Sequence, residues 1–199
     1  MIKALFLDIG GVLMTNGWGT EARKSAAEKF QIDYKEMDER HRLTFDTYET
    51  GKMSLESYLN EIVFYTPRSF SMDQFIEYMF AVTKPYPEMI ELMRTFKEKY
   101  KLKVAVVSNE GRVITEYRLA NFGLKDFVDF FIVSCFVHFR KPDLDIYKVA
   151  LDIAQMQPEE VIYIDDRPLF VEIGSKLGLQ SIQHKSYAET KEQLVKLLD

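Results

Sequence analysis

The stretch Leu5-Phe6-Leu7-Asp8-Ile9-Gly10-Gly11-Val12-Leu13 (LFLDIGGVL) is an apolar run that delivers a single carboxylate and then turns on two glycines. Continuous apolarity of this kind suits a strand covered on both faces, because a strand with one wet face would alternate. Three further runs repeat the pattern: Lys103-Val-Ala-Val-Val107, Phe130-Phe-Ile-Val133 and Val161-Ile-Tyr-Ile164. The four runs end on small polar or acidic residues, namely Asp8, Ser108, Ser134 and Asp165. Residues 87–100, 112–121, 144–155 and 168–177 carry apolar positions at helical period. This alternation predicts an α/β fold, a parallel sheet with helices on both faces. Ligands of such sheets bind beyond the carboxyl ends of the strands, where these polar residues gather.

Residues 15–84 break the alternation. They offer helical stretches at 20–30, 34–48, 54–65 and 71–82 with no strand between them. The prolines of Thr83-Lys-Pro-Tyr-Pro-Glu88 mark the return, the second one placed to open a new helix. The expected division is therefore a core of residues 1–14 and 85–199 with an all-helical insertion at 15–84. An insertion that follows the first strand must sit over that strand's carboxyl end, which makes it a cap over the site.

Composition narrows the partners. The chain has 199 residues, 47% of them hydrophobic, enough for a full core. No apolar stretch approaches the length of a membrane span, and the N-terminal MIKALFLD lacks the pattern of a secretory signal. The single cysteine, Cys135, excludes an internal disulfide and fits a reducing, cytoplasmic setting. The net charge of -5 is spread along the chain without a basic block, so neither nucleic acid nor membrane is an expected partner.

Four ordered motifs, Asp8-Ile-Gly-Gly-Val-Leu13, Ser108-Asn109-Glu110, Lys141-Pro142-Asp143 and Asp165-Asp166-Arg167, together resemble the haloacid dehalogenase superfamily. The resemblance covers essentially the whole chain. It implies a Rossmann-like core with a C1 cap, as in the subfamily I enzymes that include sugar phosphatases, the phosphatase domain of epoxide hydrolases and the dehalogenases. It also implies a Mg²⁺-dependent phosphatase acting on a small phosphorylated metabolite through an aspartyl phosphate. Asp8 would be the nucleophile and a metal ligand, and Ser108 with the Asn109 backbone would hold a phosphoryl oxygen. Lys141 would neutralise nucleophile and phosphate together. Asp166 would reach the metal, with Asp165 as its support and the Gly10 backbone carbonyl as a further ligand. The residue types suit the chemistry, since phosphoryl transfer needs a nucleophile in line and positive charge around the phosphoryl oxygens, and Mg²⁺ prefers few carboxylates and several waters.

One position departs from the resemblance. Most phosphatases of this family carry a second Asp two places after the nucleophile, which protonates the leaving alcohol and then activates water. Here that place is Gly10. General acid/base help of this kind is worth about 10² to 10⁴ in rate. Three functions remain open: a slow or cap-assisted phosphatase, a regulatory protein that binds phosphorylated ligands without turnover, and a 2-haloacid dehalogenase. The last needs no metal, and the Asp165-Asp166 pair speaks against it.

Trp18, His41, Arg42, Tyr48 and Tyr86 are candidates to face the site from the cap. Each also has a plainer role, His41 and Arg42 on a solvated helix face and the tyrosines in aromatic packing between cap and core. Cys135 reads as a small buried hydrophobe, and His138 and His184 lack metal-ligand spacing with each other or with His41.

Overall fold

The computed structural model describes residues 1–199. The four apolar runs form strands β1 (Ala4–Leu7), β2 (Lys103–Ser108), β3 (Phe130–Val133) and β4 (Val161–Asp165), and a fifth, β5 (Gln180–Gln183), joins them. All neighbours pair in parallel, in the order β3-β2-β1-β4-β5. β1 is central, with Leu7 in register with Val106 on one side and Ile164 on the other. The carboxyl ends of β1, β2 and β4 therefore lie side by side. The chain runs outward from β1 through β2 to β3, then returns to β4 beside β1, so the strand order reverses at the β1/β4 crevice.

Successive strand residues point to opposite faces and both faces are covered. Leu5, Leu7, Val104, Val106, Ile162 and Ile164 pack under α5 (Pro87–Tyr100), through Met89, Leu92, Met93 and Phe96, and under Leu194 of α10 (Tyr187–Leu198). Ala4, Phe6, Ala105, Val107 and Tyr163 pack on the other face. They meet Ile146, Tyr147 and Ala150 of α8 (Leu144–Ala154) and Phe170 of α9 (Pro168–Lys176). α6 (Arg112–Asn121) and the single turn α7 (Ser134–Val137) follow β2 and β3.

Between β1 and α5 the chain forms only helices: α1 (Thr20–Phe30), α2 (Tyr34–Glu49), α3 (Leu55–Ile62) and α4 (Met72–Ala81). Their N-termini are fixed locally, since Asp33, Ser54 and Ser71 accept backbone N–H bonds and Ser71 with Gln74 completes a capping box. The module is built on an apolar cluster of 14 buried residues, one of which, Ile114, comes from core helix α6. Aromatic packing runs mainly inside the module, contrary to the expectation of a module–core aromatic interface. Phe30, Phe64, Phe70, Phe75 and Tyr78 touch one another, while Phe80 on Tyr117 crosses to the core, at 4.2 Å. Entry and exit of the module are tied together, with Thr15 N–H on the Lys84 carbonyl at 2.8 Å and Lys84 N–H on Thr15 Oγ1 at 3.0 Å. No helix is long and apolar enough to cross a membrane.

Candidate active site

Parallel pairing brings Asp8, Ser108 and Asp165 together because each ends, or directly follows, one of three adjacent strands. Lys141, from the loop before α8, reaches the same place fully buried, with Nζ 3.2 Å from Asp8 Oδ1 and 2.5 Å from Asp165 Oδ2. Burial alone would lower the lysine's pKa, but the two carboxylates prevail and hold it above its ordinary value. Asn109 fixes the lysine's backbone from both sides: its Nδ2 donates to the Lys141 carbonyl (2.7 Å) and its Oδ1 accepts the Lys141 N–H (2.8 Å). The Asn109 side chain is thus spent on positioning Lys141.

The two acids after β4 stand differently. Asp165 is completely engaged: Oδ2 takes Lys141 and the Tyr163 hydroxyl, and Oδ1 accepts the Arg167 N–H at 2.8 Å. Asp166 offers Oδ2 to Asn16 Nδ2 at 3.3 Å, while its buried Oδ1 has no partner. Ligand oxygens of Asp8, Asp165 and Asp166 lie within 4.8 Å of one another. An orphaned buried carboxylate oxygen beside two further acids fits a hard divalent cation such as Mg²⁺. Burial pushes the Asp8 carboxyl up to about 7, with Lys141 and the Ser108 hydroxyl opposing and the neighbouring acids assisting. A cation among these oxygens favours the ionised form.

Of the two glycines, the backbone requires Gly11. Its φ is +78°, and a Cβ there would overlap the Asp166 carboxylate. Gly10 has no such constraint, but a Cβ on it would stand 2.9 Å from Asn16 Oδ1. The space that a side chain at position 10 would enter is filled by the Asn16 amide.

Above these groups lies a cleft of about 230 Å³ roofed by the helical module. His41, Phe45, Tyr48 and Glu49, spaced i, i+4, i+7 and i+8 along α2, form its ceiling, and Trp18 joins them. Of the sequence candidates, Trp18, His41 and Tyr48 face the cleft. Arg42 projects outward to pair with Asp38 at 2.8 Å, and Tyr86 packs against the sheet core. Asn16, Glu49 and Arg140, which the sequence does not single out, also line the cleft, as does Arg167 of the fourth motif. The module is held against the core beside the site. Ser134 Oγ donates to the Glu49 carbonyl (2.7 Å), and Arg140 pairs with Asp46 and with Glu49 (2.8 Å). Burial raises the Glu49 pKa against the lowering pull of Arg140. Behind the cleft Arg118, fully buried, pairs with Glu110 at 2.7 Å and donates to the Thr15 carbonyl at 2.7 Å. Cys135 is buried and its thiol is pushed up to about 11 by that burial, which disfavours the reactive thiolate. His138 and His184 are tied to the Thr50 carbonyl and the Thr190 hydroxyl.

Carboxylates and a buried lysine thus gather at the carboxyl edge of a parallel sheet, the place where α/β folds bind their ligands. The chain belongs to the haloacid dehalogenase-like hydrolases, which its residues 2–174 match. A phosphorylated carbohydrates phosphatase of Thermotoga maritima is 25% identical over 193 residues, 91% of this chain and 84% of that protein. In fold the chain is similar to a HAD family enzyme from Bacteroides thetaiotaomicron, solved in complex with magnesium and inorganic phosphate. The TM-score is 0.79 at 22% identity, covering 93% of this chain and 95% of that one. It is also similar to a 2-haloacid dehalogenase from Pseudomonas syringae, with TM-score 0.71 at 14% identity, covering 98% and 99%. Some curated relatives are much longer. The chain spans 9% of acyl-CoA dehydrogenase family member 10 from Mus musculus, at 28% identity over 102 residues, 51% of this chain.

Proposed function

We propose that the protein is a Mg²⁺-dependent phosphatase of small phosphorylated metabolites, with the helical module as the cap over its site. The observation that carries this reading is the contact of one buried lysine with both Asp8 and Asp165, beside an Asp166 whose Oδ1 is unpartnered. A dehalogenase needs no metal, so the Asp165–Asp166 pair speaks against that reading. Asp8, Asp166 and the Gly10 carbonyl would hold Mg²⁺, which supplies charge compensation for the phosphoryl oxygens. Asp8 attacks phosphorus as the bond to the leaving alcohol breaks, giving an aspartyl phosphate. Lys141, the Ser108 hydroxyl and the Asn109 backbone balance the phosphoryl charge. Water then attacks phosphorus and frees phosphate with Asp8 restored.

Position 10 carries no acid, so protons for the alcohol and from the water move through solvent in the cleft. Turnover is consequently slow, and slower for poor leaving groups. The test is phosphate release from a panel of phosphorylated metabolites with and without Mg²⁺, run beside halide release from 2-chloropropionate. Magnesium-dependent phosphate release without halide release is expected. Halide release, or phosphate binding with no release from any ester, would replace this reading.

A further inference from the structure

Two polar groups of the cleft ceiling are left without a protein partner, and one of them has its proton placed by its neighbours. Tyr58 of α3 is fully buried. Its hydroxyl lies 2.9 Å from Trp18 Nε1 and 2.6 Å from His41 Nδ1. The indole N–H can only donate, so the Tyr58 oxygen accepts it, and the buried hydroxyl's own hydrogen has no acceptor within reach except His41 Nδ1, to which it donates. The imidazole is neutral, because burial and the guanidinium groups of Arg23, Arg42 and Arg140 outweigh the pull of Asp38. A neutral ring that accepts at Nδ1 carries its hydrogen on Nε2. Nε2 makes no hydrogen bond within the chain, and His41 lines the cleft.

Tyr48, two turns further along the same helix face, stacks on Tyr58 with ring centroids 4.4 Å apart and is 4% exposed. Its hydroxyl is buried with no partner and stands over Gly111, the residue before α6, where any side chain would collide with it. An unmet buried hydroxyl is costly, and a ligand that meets it recovers that cost.

All but one of the guanidinium groups lining the cleft around these two groups are paired. Arg23 is bound to Asp38 and Arg140 to Asp46 and Glu49, while Arg167 stands exposed at the rim without a carboxylate partner.

We infer that the His41 Nε2–H and the Tyr48 hydroxyl form the recognition site for the leaving group, selecting phosphomonoesters whose alcohol is uncharged and carries further hydroxyl or carbonyl oxygens. Trp18 and Tyr58 are positioning residues that set the imidazole tautomer. The inference rests on the phosphatase reading for its substrate, but the tautomer does not depend on turnover.

The closing experiment has two arms. In the first, ¹⁵N NMR of the full chain reads the His41 ring at neutral pH. The proton is expected on Nε2, with the preference lost in Tyr58→Phe, and the Nε2–H signal is expected to move on adding sn-glycerol 3-phosphate but not inorganic phosphate. A proton on Nδ1, or a signal that ignores glycerol 3-phosphate, overturns the proposal even if the protein turns nothing over. The second arm compares kcat/KM for glycerol 3-phosphate and n-propyl phosphate, which differ only in the two hydroxyls. The unaltered protein is expected to prefer the first about tenfold or more, the scale of one unmet buried polar group. His41→Phe and Tyr48→Phe should each bring that ratio toward one. A ratio that stays put while both rates fall equally would make these residues structural only, and a stronger preference for a carboxylate-bearing phosphate such as 2-phosphoglycolate would hand recognition to Arg167. If neither ester is hydrolysed the phosphatase reading fails, and the NMR arm alone decides the recognition site.

Discussion

Restoring the missing acid, with Gly10→Asp, asks whether the proton shuttle is what the site lacks. The backbone at Gly10 is not left-handed, so a side chain is admissible there, and the obstacle is the Asn16 amide 2.9 Å from the new Cβ. Displacing the end of one side chain belongs at the low end of the about 1–3 kcal/mol that overpacking costs. If about 1.4 kcal/mol of that repacking is needed to reach the active geometry, it removes one factor of ten from a general acid/base gain whose lower bound is about 10². The steady rate should then rise about tenfold.

The assay is release of phenol from an aryl phosphate. Because the leaving group is activated, the unaltered protein should show a burst followed by a slow steady phase limited by hydrolysis at Asp8, and Gly10→Asp should raise the steady phase more than the burst. The control is Gly11→Ala, where φ is +78° and the new Cβ would overlap the Asp166 carboxylate. That variant should lose both stability and Mg²⁺ dependence. A folded Gly10→Asp protein with no gain, beside an unaltered protein that turns over briskly without a burst, would refute the reasoning and place the shuttle on the module or in a water chain.

Asp166→Ala removes the acid with the unpartnered oxygen, and the Mg²⁺ concentration for half-maximal activity should rise at least tenfold or the response vanish; an unchanged titration would assign the metal elsewhere. Arg118→Met leaves Glu110 buried without its partner and should cost about 3–5 kcal/mol in chemical denaturation. Pairing it with Glu110→Gln should recover most of that loss, and an additive double mutant would contradict the coupling. His41, held near 4 by burial first and the nearby guanidinium groups second, is neutral in the folded chain and protonates at about 6.5 in the unfolded one. Its contribution is therefore present above about pH 6.5 and lost as pH falls toward 4, about 2 kcal/mol between pH 7 and 5, and His41→Gln should unfold with a correspondingly shallower pH dependence.

What the sequence makes legible follows from where information is local. Asp8, Ser108 and Asp165 announce themselves because each ends or follows an apolar run buried on both faces, and α1, α5 and α6 appear at their observed bounds. β5 leaves no apolar run in the sequence: Gln180-Ser-Ile-Gln183 is an edge strand with one buried apolar residue, Ile182, and its pairing comes from β4 rather than its own pattern. Asn16 reaches the site only through the turn that Gly11 permits, and Glu49 and Arg140 only through docking of the module, neither of which leaves a periodic signal. The His41–Phe45–Tyr48 spacing is visible on α2, yet an ordinary buried helix face has the same spacing, so only the cleft distinguishes them. The aromatic residues misled for a similar reason. Their number predicts ring packing somewhere, and tertiary structure puts most of it inside the module.

The central claim is that Asp8 forms a covalent phosphoryl intermediate. The direct measurement is to quench the protein with borohydride during turnover of an aryl phosphate and sequence the peptide containing residue 8 by mass spectrometry. Borohydride reduces an acyl phosphate to the alcohol, so the account predicts homoserine at position 8, dependent on Mg²⁺ and absent without substrate. Slow hydrolysis for want of an acid at Gly10 should make the trapped fraction large. Phosphate release that continues with Asp8 unmodified, or that survives in Asp8→Asn above a tenth of the original rate, would contradict the claim.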